Sequence, residues 1–236
     1  MGHFSTSLDR QMSVVNVISS LRHDIILGKY PDNCSVSEME LSKKYGVSRS
    51  TIRTALSELE KDGLLIVKSS GRKVLRSMSQ KYIEDLCFTR SILECEAVKL
   101  IIQKPDNDFT RLLGYVAEFY SALQEPLETR RRKLARINTD FHMEILNLAG
   151  NISLKQCYSV IAPILYEIVY INTALDPDMN EHGYYSAHKK IADLLMQRDQ
   201  KVIEYMRYHT LEATLTDVLS VIHSVKQKNA TIKSQG

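Results

Sequence analysis

Gly46-Val47-Ser48-Arg49-Ser50-Thr51-Ile52-Arg53-Thr54-Ala55-Leu56 is the stretch on which the reading of this chain turns. Gly46 marks a tight turn, and Ser48 or Ser50 can cap a following helix by accepting a hydrogen bond from one of its first amides. Ile52, Ala55, Leu56 and Leu59 then recur at spacings of three and four, which places them on one buried stripe. Arg49 and Arg53, four residues apart, share another face, with Ser50, Thr51 and Thr54 beside or between them. A helix buried on one side, with guanidinium and hydroxyl groups on the other, suits the major groove of a duplex. Arginine can bond guanine with both arms of its fork, while hydroxyls and the helix amino terminus suit phosphate oxygens.

The flanking sequence gives this helix a setting. Val14, Val17, Ile18, Leu21 and Ile25 predict an amphipathic helix over 11–28, ended by Tyr30-Pro31-Asp32-Asn33. Ser37 with Glu40 three residues later predicts a capped start for a short helix over 38–45. After Asp62-Gly63, the apolar runs Leu64–Val67 and Val74-Leu75, separated by Ser69-Ser70-Gly71, predict a β-hairpin. Three helices and a hairpin make a winged helix-turn-helix over residues 8–76, with Arg72, Lys73 and Arg76 on the wing able to reach a backbone phosphate.

Charge agrees with that division. Residues 1–80 hold 12 Lys+Arg against 8 Asp+Glu, and the rest 19 against 20, so the excess positive charge of the +3 chain sits at its amino-terminal end. From Gln80 onward only helical periodicity is visible, broken near Pro105-Asp106, Gln124-Glu125-Pro126, Gly150-Asn151, Asp176-Pro177-Asp178 and Arg198-Asp199. This predicts an antiparallel bundle of about six helices over 80–225, joined through Ser77-Met78-Ser79 and followed by a polar tail at 226–236. The fold class is mainly α, with one small hairpin.

Within the bundle, Asn138 and His142 are four apart on a helix whose buried side holds Leu134, Ile137, Phe141, Ile145 and Leu148. His188 and His209 fall on two further helices. If the three imidazoles meet, they form a nitrogen ligand set with positions left for water or a small molecule; if they do not, each is a core histidine bonded to a backbone carbonyl. Spacing leaves both readings open. Arg90 stands four residues before Glu94, so its fork either pairs internally with that carboxylate or serves a ligand carboxylate.

Two stretches resemble a known family. Ile25 to Val74, above all residues 46–56 and Leu59-Glu60-Lys61-Asp62-Gly63-Leu64, resemble the DNA-binding domain of bacterial GntR-type transcriptional regulators. That resemblance implies a homodimer on a double-stranded operator with inverted-repeat symmetry, with Arg49, Arg53 and Gly71 at DNA-contacting positions. Two departures stand out. Pro31-Asp32-Asn33-Cys34 replaces the usual Pro-Gly, and Met39 stands where some members carry a DNA-contacting arginine.

Residues 80–225, through Arg90-Ser91-Ile92-Leu93-Glu94, Asn138-Thr139-Asp140-Phe141-His142, Ala149-Gly150-Asn151, His188 and His209, resemble the effector (FCD) domain of the FadR subgroup. In that subgroup an Asp and three His often hold a divalent metal that helps bind a small organic acid, a carboxylate or sugar acid, with Arg90 lining the effector cavity. Here Asn138 occupies the Asp position, and an amide oxygen is a neutral, weaker ligand. Either the histidines bind an anion directly, or a metal such as zinc or nickel sits there with charge left over to attract a carboxylate.

Other classes find less support. With 44% hydrophobic and 25% charged residues the chain should fold. No signal peptide or apolar run near the ~20 residues of a membrane span is apparent, so a cytoplasmic protein is expected. The four cysteines form no Cys-x-x-Cys pair and read as reduced thiols. Arg130-Arg131-Arg132-Lys133 reads as a solvated turn, and the twelve tyrosines as helix-interface packing. Neither a phosphate loop, a nucleophile elbow nor His-Glu-x-x-His occurs, so no enzyme is expected. Two alternatives remain: a constitutive DNA-binding protein whose bundle only dimerises, and a metal-dependent hydrolase, which would lack a general base because Asn138 cannot take a proton.

Overall fold

The computed structural model describes residues 7–31, 33–76, 78–175 and 183–220. The tail at 226–236, Ser77 of the expected hinge and the break at Asp176-Pro177-Asp178 lie outside them. The chain divides into two compact units, Met1–Met78 and Ser79–Gly236.

The first unit holds α1 (Ser7–Ile26), α2 (Glu38–Tyr45), α3 (Arg49–Lys61), β1 (Leu65–Val67) and β2 (Lys73–Leu75). Leu21, Ile52, Ala55 and Leu59 are fully buried and Leu56 nearly so, so α3 is clamped by the stripe expected of it, largely against α1. The two strands pair antiparallel in the register Leu65↔Leu75, Ile66↔Val74 and Val67↔Lys73. Ser35 adds a bridge to Val74 that the hairpin signal does not contain, tying the segment before α2 to the wing. Arg22 joins α1 to the end of α3 through Asp62, with Nε at 2.7 Å and Nη2 at 2.6 Å from Oδ2.

The second unit holds α4 (Gln80–Gln103), α5 (Thr110–Ala122), α6 (Leu127–Ala149), α7 (Ile152–Leu175), α8 (Gly183–Met196) and α9 (Lys201–Arg207). A turn of π-helix, Tyr208–Ala213, follows α9, and the chain continues as α-helix over 214–220. Helix α6 packs against α4, α5 and α7, while α4 also meets α9 and the π turn. Helix α6 is therefore the central element of this unit's core.

By length and composition, Ile152–Thr173 on α7 is apolar enough to cross a membrane, which corrects the expectation that the chain holds no apolar run of that length. In this unit it lies against α6 and α4 and buries the polar residues Glu167, Asn172 and Thr173 beside Tyr158, Leu165 and Ile168. Arg130 and Lys133 sit in the first turns of α6, where Lys133 pairs with Glu125 and Arg130 donates to the Leu123 carbonyl.

Candidate functional site

The exposed face of α3 is set by the turn before it. Gly46 adopts φ 64°, a left-handed conformation in which a side chain would be strained, and its amide closes α2 by bonding to the Ser42 carbonyl. Ser42 Oγ then donates to the Val47 carbonyl at 2.6 Å. Ser48 is the cap of α3: its Oγ accepts from the Thr51 amide at 3.2 Å and meets Ser50 Oγ at 2.7 Å and Thr51 Oγ1 at 2.9 Å. Arg49 and Arg53 point outward, each with 65% of its side chain exposed, and Ser50 and Thr54 are exposed beside them.

Thr51 differs from its expected place: it is only 5% exposed, because its hydroxyl is drawn under the Ser48 cap. On the wing, Gly71 (φ 77°) and Arg72 are exposed. Lys73 is partly held by Glu60 at 3.1 Å, and Arg76 turns back to bond the Gly63 carbonyl instead of reaching outward.

Spacing gave no sign of Glu38. As the first residue of α2, it accepts from Arg53 Nε at 3.1 Å and Nη2 at 3.0 Å and lies 3.7 Å from Arg49 Nη2. The hydrogen bond from Arg53 holds its carboxyl below the usual range. One carboxylate thus aims both arginines and partly neutralises them.

In the second unit, Asn138 and His142 from α6, His188 from α8 and His209 from the π turn converge. His188 Nε2 lies 3.0 Å from Asn138 Oδ1 and 3.2 Å from His142 Nε2, and His209 Nε2 lies 3.3 Å from His142 Nε2. Nitrogens of the three rings lie within 4.8 Å of one another. His142 and His188 are fully buried, and Asn138 is 3% exposed. The rings of Phe119 and Phe141 lie 4.4 and 4.8 Å from that of His188.

The outer nitrogens decide what these atoms can do. His142 Nδ1 lies 2.5 Å from Glu94 Oε2, and His188 Nδ1 lies 2.5 Å from the Tyr184 carbonyl. Both partners only accept when the carboxylate is ionised, so each ring donates its Nδ1–H outward and turns a bare Nε2 lone pair inward. Two lone pairs then face each other at 3.2 Å. Rotating the Asn138 amide could relieve its own approach to His188, but not that one. A cation answers this arrangement. With metal–nitrogen bonds of about 2.0–2.1 Å, neighbouring ligands lie roughly 2.9–3.4 Å apart, which brackets 3.2 and 3.3 Å. The donor set therefore fits a divalent ion that accepts imidazole.

Beside the cluster lies a cavity of about 240 Å³, whose lining includes Arg90, Asn138, Asn172, Tyr184, His209 and Thr214. That is slightly below the roughly 300–1,000 Å³ typical of pockets for drug-sized ligands. Arg90 is 2% exposed. Its Nε donates to Glu94 Oε1 at 2.7 Å and its Nη1 to Thr214 Oγ1 at 3.3 Å, while Nη2 is buried with no hydrogen-bond partner among the described residues. The two readings of Arg90 therefore coincide in place: it pairs with Glu94, and it lines the cavity. Asn172 Oδ1 is likewise buried and unpartnered among those residues.

Neither Asn172 in the cavity lining nor the placing of Tyr158 beside both Glu94 and Arg90 is visible from helical spacing. Tyr184, expected to fill a helix interface, lines the cavity and orients His188 through its carbonyl. Burial raises the Glu94 carboxyl, against the pull of Arg90, and raises the Tyr158 hydroxyl.

Comparison with known proteins follows the same two units. Residues 14–73 match the family described as bacterial regulatory proteins, gntR family, and residues 85–212 match the FCD domain. The chain is 26% identical to the uncharacterized HTH-type transcriptional regulator YdhC of Bacillus subtilis, over 86% of this chain and 84% of that one. It is also 26% identical to a probable D-xylose utilization operon transcriptional repressor of Paenarthrobacter nicotinovorans, over 87% and 90% respectively. Among solved structures, Lar of Listeria monocytogenes superposes with a TM-score of 0.60 at 19% identity, covering 94% of this chain and 99% of that one. Escherichia coli McbR/YncC gives 0.59 at 18%, covering 90% and 97%. These proteins and domains define a class, DNA-binding transcriptional regulators and not enzymes. The chain belongs to the GntR family and carries an FCD domain, the architecture of its FadR subgroup.

The histidine cluster carries a pH prediction. Burial, the largest cause, lowers all three imidazoles well below 6.5; Arg90 adds to this at His142, as neighbouring rings do at His188 and His209. As pH falls below about 6.5 the unfolded chain takes up protons that the folded cluster refuses, so stability drops with falling pH. The raised Glu94 acts in the opposite sense above its ordinary value of 4.5 and offsets part of the effect. Metal-free protein should therefore melt at progressively lower temperature as pH goes from about 7.5 to about 5, and a flat profile contradicts the buried neutral cluster.

Proposed function

We propose that this regulator is an effector-responsive repressor acting as a cytoplasmic homodimer. Its histidine cluster (Asn138, His142, His188, His209) holds a divalent metal, zinc or nickel, and its cavity takes a small carboxylate or sugar acid against Arg90 and Asn138. The observation that carries this reading is the convergence of three imidazoles and an amide oxygen, with the Nε2 lone pairs of His142 and His188 facing each other at 3.2 Å, beside a cavity that the buried Arg90 helps to line. An ion held there supplies positive charge that favours a carboxylate ligand, and the arginine fork suits the same group. The relative described as a probable D-xylose utilization operon repressor is in keeping with repression and with a sugar-derived effector.

On the DNA side, Arg49 and Arg53 read base edges. Ser48, Ser50, the N-terminal turn at Thr51, Gly71 and Arg72 address the phosphate backbone. A dimer places two such helices about one turn of duplex apart, ~34 Å, and so calls for an inverted repeat. Effector binding favours one of two arrangements of the DNA-binding units, for which a coupling of about 1–3 kcal/mol suffices.

Two measurements test the reading. Protein purified without a histidine tag should hold a first-row metal in stoichiometric amount. It should also be shifted in melting temperature by one or more acids in a screen of small mono- and dicarboxylates and sugar acids. An Arg90→Ala variant should bind the responding acid about 10- to 100-fold more weakly, the worth of a charged hydrogen-bonded contact, while binding a duplex selected from a randomised pool as before. An unchanged acid response rejects the role of Arg90.

The Glu38 contact yields a further expectation. Removing its charge in Glu38→Gln frees Arg49 and Arg53 for any phosphate. Affinity for random duplex should rise several-fold and its salt dependence should steepen by about one counterion, so that discrimination in favour of the selected duplex narrows. Equal losses on both duplexes would instead mark Glu38 as a purely structural strut between α2 and α3.

A further inference from the structure

We propose that Glu94 is the positioning residue through which the effector cavity and the histidine cluster act on each other. The proposal rests on the reading of Asn138, His142, His188 and His209 as a divalent-metal site. Its ground is a continuous buried chain. Arg90, which lines the cavity, donates through Nε to Glu94 Oε1 at 2.7 Å, and the other oxygen of the same carboxylate takes the Nδ1–H of His142 at 2.5 Å. Arg90, Glu94 and His142 are 2%, 0% and 0% exposed, so water competes for none of these bonds.

Two consequences follow for His142. A carboxylate on Nδ1 fixes the ring in the tautomer whose Nε2 is a bare donor to metal, holds its plane, and makes it more basic. Loss of such a partner commonly costs 10- to 100-fold in metal affinity. The four converging atoms are moreover all neutral, since position 138 offers an amide oxygen, so an ion bound there meets no charge among them. Glu94, one residue removed, supplies the missing negative charge, and Arg90 shares it.

That sharing makes the link two-way. Arg90 is also part of the cavity lining, so its guanidinium is a positive group that an incoming carboxylate meets there. An acid bound there takes part of the guanidinium charge and leaves Glu94 more strongly committed to His142. A second path runs parallel: Arg90 Nη1 donates to Thr214 Oγ1 at 3.3 Å, and Thr214 Oγ1 donates to the His209 carbonyl at 2.8 Å, so the same guanidinium braces the π turn that presents His209. Metal and carboxylate therefore tighten each other's binding by the same factor, as linkage requires.

The experiment uses the full chain, zinc as the metal and acetate as the probe anion. Zinc affinity is measured by competition with a chromophoric chelator, with and without acetate, for the natural protein and Glu94→Gln. The natural protein is expected to bind zinc more tightly in acetate; Glu94→Gln is expected to bind zinc about 10- to 100-fold more weakly and to lose the acetate effect. Zinc bound equally by both proteins overturns the role of Glu94 and leaves the metal site standing. A natural protein that binds no zinc or nickel overturns the metal reading and this proposal with it. Should Glu94→Gln fail to fold, the nitrogen-15 spectrum of the metal-free natural protein decides: His142 protonated on Nδ1 supports the positioning role, and His142 protonated on Nε2 overturns it.

Discussion

Like atoms brought face to face inside an apolar bundle are the constraint around which the second unit is organised. The Nδ1–H groups of His142 and His188 are spent on Glu94 and the Tyr184 carbonyl, so their Nε2 lone pairs can only confront one another. Two such acceptors side by side in an apolar interior repel each other, and a cation placed between them removes the repulsion. Several other features serve the same point. The i, i+4 spacing of Asn138 and His142 sets two donors on one face of α6, and Phe119 and Phe141 wall the His188 ring in place. The π turn at 208–213 adds a residue to the last helix and brings His209 to the cluster, the kind of site where such turns are often found.

The first unit works by the opposite arrangement, in which polar groups are kept at the surface but restrained. Burial of Ile52, Ala55, Leu56 and Leu59 fixes the rotation of α3, the Ser48 cap fixes its start, and Glu38 fixes the heading of both arginines. An exposed ion pair adds little to stability, about 0–1 kcal/mol. Its weight falls on recognition instead. On the proposed reading of Arg49 and Arg53 as base contacts, a carboxylate beside them lowers their attraction to any phosphate and leaves base edges to make up the difference.

What the sequence disclosed follows from the range over which each signal acts. Caps, turns and buried stripes are local, so Ser37, Gly46, Ser48 and the α3 stripe could be read from spacing, as could the helix breaks near Pro105, Pro126 and Gly150. The Asn138–His142 pair is local in the same sense. That His188 and His209 would meet it is a fact of tertiary packing, over separations of 46 and 67 residues, and only the family resemblance anticipated it. Glu94 was visible as a partner for Arg90 four residues away, but its second oxygen reaches His142 across 48 residues. Glu38, Asn172, Tyr158 and Tyr184 were silent for the same reason. Thr51 and Arg76 were misplaced because periodicity assigns a face without showing that a hydroxyl is taken by its own cap or a guanidinium by a nearby carbonyl.

The substitution of an amide for a carboxylate at position 138 gains meaning from this arrangement. A carboxylate there would put negative charge directly on an ion, and an incoming acid would meet a site already closer to neutral. With Asn138 the local charge comes from Glu94, one bond further out, and it is divided with an arginine that also faces the cavity. The net charge sensed by an ion then depends on whether that arginine is engaged elsewhere. On the proposed metal reading, a neutral amide ligand and a carboxylate shared with Arg90 together make metal affinity responsive to acid binding, whereas a carboxylate ligand would make it more nearly fixed. On that reading, the loss of intrinsic metal affinity implied by the amide oxygen is the same physical change that would let the cluster register whether an acid is bound.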